Sequence, residues 1–246
     1  MSGGPLWIAA AVLWGAVAGA LLPRAACRFA VPAGEGWRDR CPEGHALRGW
    51  LGPARCAECV RGGERGRNGQ APLLSCVTAL LCAALTAATG TRPELAVWLL
   101  LAPVGVLLAV IDLRVQRLPD PLTLPLAPAA LALLGLAALV PEHAGHWLTA
   151  LYGALALGAG YLVLFLVHPS GMGFGDVKLA VGMGAVLGWY GWSVVLLGAF
   201  AGFLLGALYG GALVVVGRAG RRTAIPFGPF LLSGALAGVL IGACAG

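Results

Sequence analysis

"WLTALYGALALGAGYLVLFLV", residues 147–167, carries no charged side chain and reaches the length of about 20 residues at which one helix crosses a bilayer. Working outward, seven further apolar runs read the same way: roughly 5–22, 72–90, 94–111, 121–140, 176–191, 193–217 and 224–244. The last but two and last but one are joined by Trp189-Tyr190-Gly191-Trp192, an aromatic tight turn suited to the membrane interface. Composition agrees. The 246 residues are 59% apolar and 11% charged with a mean hydropathy of +0.88, where a soluble domain carries about 25% charge. The expected fold is an all-α polytopic membrane protein of about eight transmembrane helices. Its parts are helix 1 within residues 1–22, a cytoplasmic cysteine-containing loop over 23–71 and a transmembrane helical core over 72–246.

Basic residues test that count, because Lys and Arg accumulate in cytoplasmic loops. With residues 23–71 inside, alternate turns put Arg114, Arg117, Lys178, Arg218, Arg221 and Arg222 inside too, and Arg92 alone outside. A wrong segment count would scatter these charges. Both termini are therefore expected outside. The first span has no basic residue before it and nine arginines between it and the second, which reads as an anchor rather than a cleaved signal. The net charge of +6 thus reports orientation and attraction to anionic membrane lipid. No nucleic-acid partner is expected.

The loop "RAACRFAVPAGEGWRDRCPEGHALRGWLGPARCAECVRGGERGRNGQ" is too short and too poor in apolar residues to fold unaided. Cys56 and Cys59 have the C-x2-C spacing that presents two thiolates from one turn, and Cys41 with His45 would complete a tetrahedral zinc site. The same spacing suits a pair of reduced cytosolic thiols. Cys27 is a spare ligand near the membrane, and Cys76, Cys82 and Cys244 read as small core residues of apolar spans. Disulfides are not expected on the reducing side.

Of the ten acids, Glu35, Asp39, Glu43, Glu58 and Glu64 belong to the solvated loop, and Glu94 and Glu142 fall in short outer loops. Asp112, Asp120 and Asp176 remain, all at the cytoplasmic face by the topology above. An acid at a span terminus usually has a partner, a wet cavity or a task. Asp120 precedes Pro121, an N-cap signature. Asp112 could be a solvated helix end, since Arg114 and Arg117 follow it. Asp176 lies in "GMGFGDVKLA", residues 171–180, behind Gly171, Gly173 and Gly175. Those glycines permit close backbone approach, as a narrow cleft for an extended peptide requires. Lys178 reads either as a cation snorkelling to the interface or as the holder of a nearby carboxylate or lipid phosphate.

Two carboxylates sharing a site cannot easily both ionise, so one keeps a proton while the other is charged. Such a pair can hydrolyse a peptide, one acid taking a proton from water and the other protonating the carbonyl oxygen or the leaving amine.

These residues resemble the prepilin peptidases, or type IV leader peptidases, which are bacterial inner-membrane aspartic proteases. The resemblance rests on "IDLRVQRLPDPLTLP" from Ile111, "GMGFGDVKLA" from Gly171 and "IPFGPFL" from Ile225, and it spans almost the whole chain. The G-x-G-D motif is shared with presenilin-like intramembrane proteases, which cut within apolar spans. The resemblance implies that Asp112 and Asp176 are the catalytic pair, that the location is the multi-pass inner (cytoplasmic) membrane, and that the partners are pilin-like or pseudopilin precursors of type IV pilus or type II secretion systems. Cleavage would follow a glycine, between a short basic leader and an apolar helix. Many members then methylate the new N-terminus with S-adenosylmethionine.

The chain departs from the family pattern in three places. Gly44 stands where a second cysteine is usual, with His45 next; "GALLPRAACRFAVP" lacks the usual Ser and Asn; and "QAPLLS" lacks the usual Arg, Tyr and Glu. Two other functions compete: a methyltransferase or assembly scaffold that does not cleave, and a proton-coupled transporter. The transporter would place its acids near the bilayer midplane within broken inverted repeats.

Overall fold

The computed structural model describes residues 4–32, 34–41, 43–47, 49–53, 56, 70–169, 171–217 and 225–245. Among them are eight helices: α1 (Gly4–Phe29), α2 (Gln70–Thr89), α3 (Glu94–Val115), α4 (Asp120–Ala137), α5 (Trp147–Val167), α6 (Phe174–Gly188), α7 (Trp192–Val215) and α8 (Gly228–Ala245). No strand occurs among the described residues; Arg40 and Ala46 form one isolated antiparallel bridge. Arg218, Arg221 and Arg222, expected inside, lie outside the described residues, as do Glu58, Cys59 and Glu64.

Lipid tails are as apolar as leucine, so helices in a bilayer are held by close packing rather than by hiding hydrophobic surface. The residue distribution shows this. Along α5 the buried positions include Ala150, Gly153, Ala154 and Gly158, whereas Leu148, Leu155, Leu162 and Leu166 face outward. Three helix pairs meet backbone to backbone. A Cβ on Gly15 of α1 would lie 2.7 Å from Thr78 O of α2, one on Gly184 of α6 would lie 2.8 Å from Ala154 Cα of α5, and one on Gly234 of α8 would lie 2.8 Å from Gly202 Cα of α7. Gly184→Leu should therefore force α5 and α6 apart, since overpacking alone costs about 1–3 kcal/mol. Thermal unfolding in detergent is expected to show a clear drop in midpoint for Gly184→Leu and little change for the outward-facing Leu155→Ala.

Seven helices are long and apolar enough to cross a membrane. The eighth, α6, has 15 residues, a rise of about 22 Å against a hydrocarbon core of about 30 Å. It starts two residues before the expected span and stops three before its end, because Trp189 and Tyr190 turn the chain and Gly191, at φ +102°, redirects it into α7. A short helix is tolerated here because α4, α5, α7 and α8 surround it. Leu179, Ala180 and Gly182 to Gly188 are all buried.

Alternating chain direction gathers the C-termini of α1, α3, α5 and α7 and the N-termini of α2, α4, α6 and α8 at one end of the bundle. The described part of the cysteine loop covers that end. Arg28 donates to Leu47 O at 2.8 Å and Gly49 O at 2.9 Å and lies over the Trp50 ring. Arg117, in the α3–α4 connection, donates to Pro32 O at 2.9 Å and lies over Trp37.

The opposite end corrects one expectation. Glu94 is not a loop residue: it opens α3 and is fully buried. Its Oε1 accepts from Ala144 N–H at 3.3 Å and sits 3.9 Å from Arg92 Nη1, while Arg92 Nη2 donates to Ala243 O at 2.9 Å. The one basic residue expected outside is thus tied to a buried acid and to the end of α8. The cysteines divide as well: Cys82 is a core residue as expected, but Cys76 and Cys244 are exposed on helix surfaces.

Candidate active site

Asp112 sits in the last turn of α3, which ends where Gln116 adopts a left-handed conformation at φ +51° and donates its N–H to Asp112 O at 2.8 Å. It is not a solvated helix end. Its side chain is buried with 4% of its surface exposed, beside Ile111 and Leu108 in the core. Asp112 Oδ2 accepts the N–H of Gly228, the first residue of α8, at 2.9 Å. That contact needs glycine, since a Cβ at position 228 would lie 2.8 Å from Asp112 Oδ2.

Asp176 is the third residue of α6 and is 7% exposed. Its Oδ2 reaches back to the N–H of Gly173, which caps the helix, at 3.1 Å, so the carboxylate offsets one unpaired donor of the first turn. Gly175 lets this turn approach the α3–α4 connection; a Cβ there would lie 2.9 Å from Leu118 Cβ. Gly171 lies against the His168 ring and donates its N–H to His168 O at 3.0 Å.

Both acids are buried at the same end of the bundle. Asp112 and Asp176 lie within electrostatic reach of each other, each holding one oxygen on a backbone N–H. Asp176 Oδ1 is buried with no hydrogen-bond partner. Such an oxygen costs free energy unless water or a ligand meets it. Tyr161, whose ring packs against those of Phe203 and Phe227, has a buried hydroxyl that is also without a partner.

Lys178 and Asp120 form a separate pair. Lys178 Nζ lies 2.7 Å from Asp120 Oδ1 and 5.0 Å from the centre of the Phe174 ring. Of the two readings of this lysine, the carboxylate holder is the one observed. Asp120 is not the N-cap expected from its sequence: Pro119 occupies that position, Asp120 is the first helical residue, and no side chain caps the helix. Pro119 O accepts the first N–H groups of α4, from Leu122 and Thr123, which frees the Asp120 carboxylate for Lys178.

In the loop, Cys41, His45 and Cys56 bring one ligand atom each to within 4.8 Å of one another. Cys41 Sγ and His45 Nδ1 are 3.6 Å apart. Gly44 makes this possible. At φ +84° it adopts a conformation that other residues resist, donating its N–H to Cys41 O, and Cys41 N–H then donates to His45 O, both at 2.9 Å. Zinc–ligand bonds of about 2.0–2.3 Å suit donors at this separation, so two thiolates and an imidazole fit the ion. Cys59, the expected fourth ligand, lies outside the described residues.

Two residues of the candidate site escaped sequence reasoning. Gly228 lies in the "IPFGPFL" stretch, where a glycine between Phe227 and Pro229 was the available signal. Tyr161 sits in an apolar run with nothing to single it out except its hydroxyl.

The type IV leader peptidase family model matches residues 98–211, a range holding both Asp112 and Asp176. A prepilin leader peptidase/N-methyltransferase of Aeromonas salmonicida (strain A449) is 37% identical over 195 residues, covering 74% of this chain and 60% of the relative. One of Escherichia coli (strain K12) is 38% identical over 177 residues, covering 67% of this chain and 71% of the relative. One of Pseudomonas aeruginosa is 32% identical over 213 residues, covering 78% and 67%. The chain therefore spans 60% of the length of the Aeromonas relative. No solved structure matches it.

Proposed function

Because the chain belongs to the type IV leader peptidase family, we propose that it is an aspartic endopeptidase that removes the basic leader from pilin-like or pseudopilin precursors. Asp112 and Asp176 are its catalytic pair, at the cytoplasmic face of the bacterial inner membrane. The observation that supports this reading is that two buried acids from distant spans lie within electrostatic reach of each other, and one oxygen of Asp176 has no protein partner.

With one proton shared by the pair, the charged carboxylate takes a proton from water as the water oxygen bonds to the scissile carbonyl carbon. The protonated one gives its proton to the carbonyl oxygen. The resulting diol collapses, the C–N bond breaks, and the leaving amine takes the proton first removed from water. The second acid recovers its own proton from the diol, so the pair returns to its starting state. Gly228 and Gly173 N–H groups hold the outer oxygens still during this exchange, which is the positioning such chemistry needs. Gly171, Gly173 and Gly175, with Lys178 beside them, border the path for the extended peptide. A positive leader suits this face because it stays inside while the apolar helix lies in the bilayer. N-methyl transfer, the second activity named for the relatives, would act on the N-terminus that cleavage exposes, with S-adenosylmethionine as the donor that the family resemblance implies.

Incubating membranes that contain the chain with a pilin precursor tests the reading. Wild type is expected to yield a product shortened by the leader. An uncleaved precursor, with the protein folded in the membrane, would overturn it.

Zinc belongs to the same reading as a structural ion held by Cys41, His45, Cys56 and Cys59. It would supply the loop with the cross-link that its small apolar content cannot. Metal analysis of purified protein is expected to give about one zinc per chain, as a four-ligand site binds a single ion, and Cys56→Ser should lose it. Equal zinc in both would place the metal elsewhere.

A further inference from the structure

An apolar cleft of about 430 Å³ runs along α3 from Trp98 to Leu113, a length of about 22 Å at the helical rise. Leu73, Val77 and Leu81 of α2 form one wall and Leu232 and Leu236 of α8 the other, with Met183 of α6 in the floor. The outer face of α5 is built of large side chains, Leu148, Leu155, Leu162 and Leu166. Here α3 instead offers Ala102, Gly105 and Ala109. The space is real at its centre: a Cβ on Gly105 would meet only Leu232 Cδ2, at 3.6 Å.

The position of the cleft's end decides what fills it. At the loop end it is lined by Leu113 and Pro229. Leu113 follows Asp112 in α3, and Pro229 follows Gly228, whose N–H holds Asp112 Oδ2. The loop end of the cleft is thus formed by the chain neighbours of Asp112 and of the glycine that holds it. The hydroxyl of Ser233 is turned back onto Pro229 O at 2.7 Å, so the lining presents an apolar face to its occupant.

We propose that this cleft docks the apolar membrane helix of the substrate, laid along α3 so that the peptide leaving the helix at the loop end meets Asp112. The proposal rests on the peptidase reading and adds where the helix binds. Small residues facing a helix allow close backbone approach, which is how helices associate in lipid. Extended chain beyond the helix then turns inward from Leu113, on the surface, to the buried Asp112 that precedes it in α3.

Photo-crosslinking tests this with the Asp112→Asn, Asp176→Asn double variant, so that binding is read without turnover. Ser233→benzoylphenylalanine is expected to give an adduct with the pilin precursor, and Leu155→benzoylphenylalanine, on the outer face of α5, none. Gly105→Leu should lower the Ser233 adduct about tenfold, the loss that a 1.4 kcal/mol weakening produces. An adduct with lipid alone, equal adducts from both positions, or a Ser233 adduct indifferent to Gly105→Leu would each overturn the docking site. Wild-type cleavage without a Ser233 adduct sinks the docking site and leaves the peptidase reading. A Ser233 adduct that responds to Gly105→Leu, with no wild-type cleavage, supports the docking site and sinks the peptidase reading.

Discussion

Asp112→Asn and Asp176→Asn are each expected to slow leader removal by at least about a thousandfold, while Asp120→Asn cleaves at close to the wild-type rate. Asparagine keeps the size of the side chain and an oxygen that can accept the N–H of Gly228 or Gly173, so the local fold survives. It cannot take a proton from water or give one to the carbonyl, and the mechanism needs both acids for that exchange. The contrast with Asp120 is what gives the experiment its force. All three acids lie at the same end of the bundle, but Asp120 is 59% exposed and paired with Lys178, a contact worth about 0–1 kcal/mol. Precursor size on a gel reads the outcome, with each variant's amount in the membrane measured alongside. Equal cleavage by all three would sink the dyad. Loss in Asp120→Asn as well would draw the Lys178 pair into the site.

The helices were legible because each lipid-crossing run announces itself by length and lack of charge. The exception is instructive: α6 is shorter than the apolar run containing it, since its ends are set by Gly173, Gly191 and its four neighbours rather than by hydropathy. Asp112 and Asp176 stood out as acids at span ends, and basic-residue counting put them on one side. That they come within electrostatic reach depends on α4 and α8, each of which packs against both α3 and α6; the two acids are 64 positions apart in a chain whose hydropathy does not encode contact order. The reading failed where local signals met tertiary partners. Asp120 followed by proline looks like a cap, yet Lys178 from α6 takes its carboxylate. Glu94 looks like a loop acid, yet Arg92 and the N–H of Ala144 draw it inside. Small residues were the least readable feature: in a sequence with 39 glycines, none marks by itself that it is Gly228 that touches Asp112.

Gly228 shows what that choice costs. Gly228→Val is expected to reduce cleavage about a hundredfold, the penalty that a displacement of about 1 Å brings to a positioned catalytic group. The side chain would begin 2.8 Å from Asp112 Oδ2 and 3.2 Å from its Cγ, closer than carbon and a carboxylate can sit, so either Asp112 swings away or the start of α8 retreats. Both movements break the 2.9 Å bond from Gly228 N–H. Gly211→Val, on α7 where a Cβ meets nothing within 4 Å, should leave cleavage and unfolding temperature unchanged and serves as the control. If Gly228 acts by holding Asp112, adding Gly228→Val to Asp112→Asn should cost nothing further, because residues that act as a unit are not additive. A merely structural role would instead lower the residual rate and the unfolding temperature together. Wild-type cleavage by Gly228→Val would show that Asp112 is catalytically indifferent to its position, which the dyad mechanism cannot accommodate.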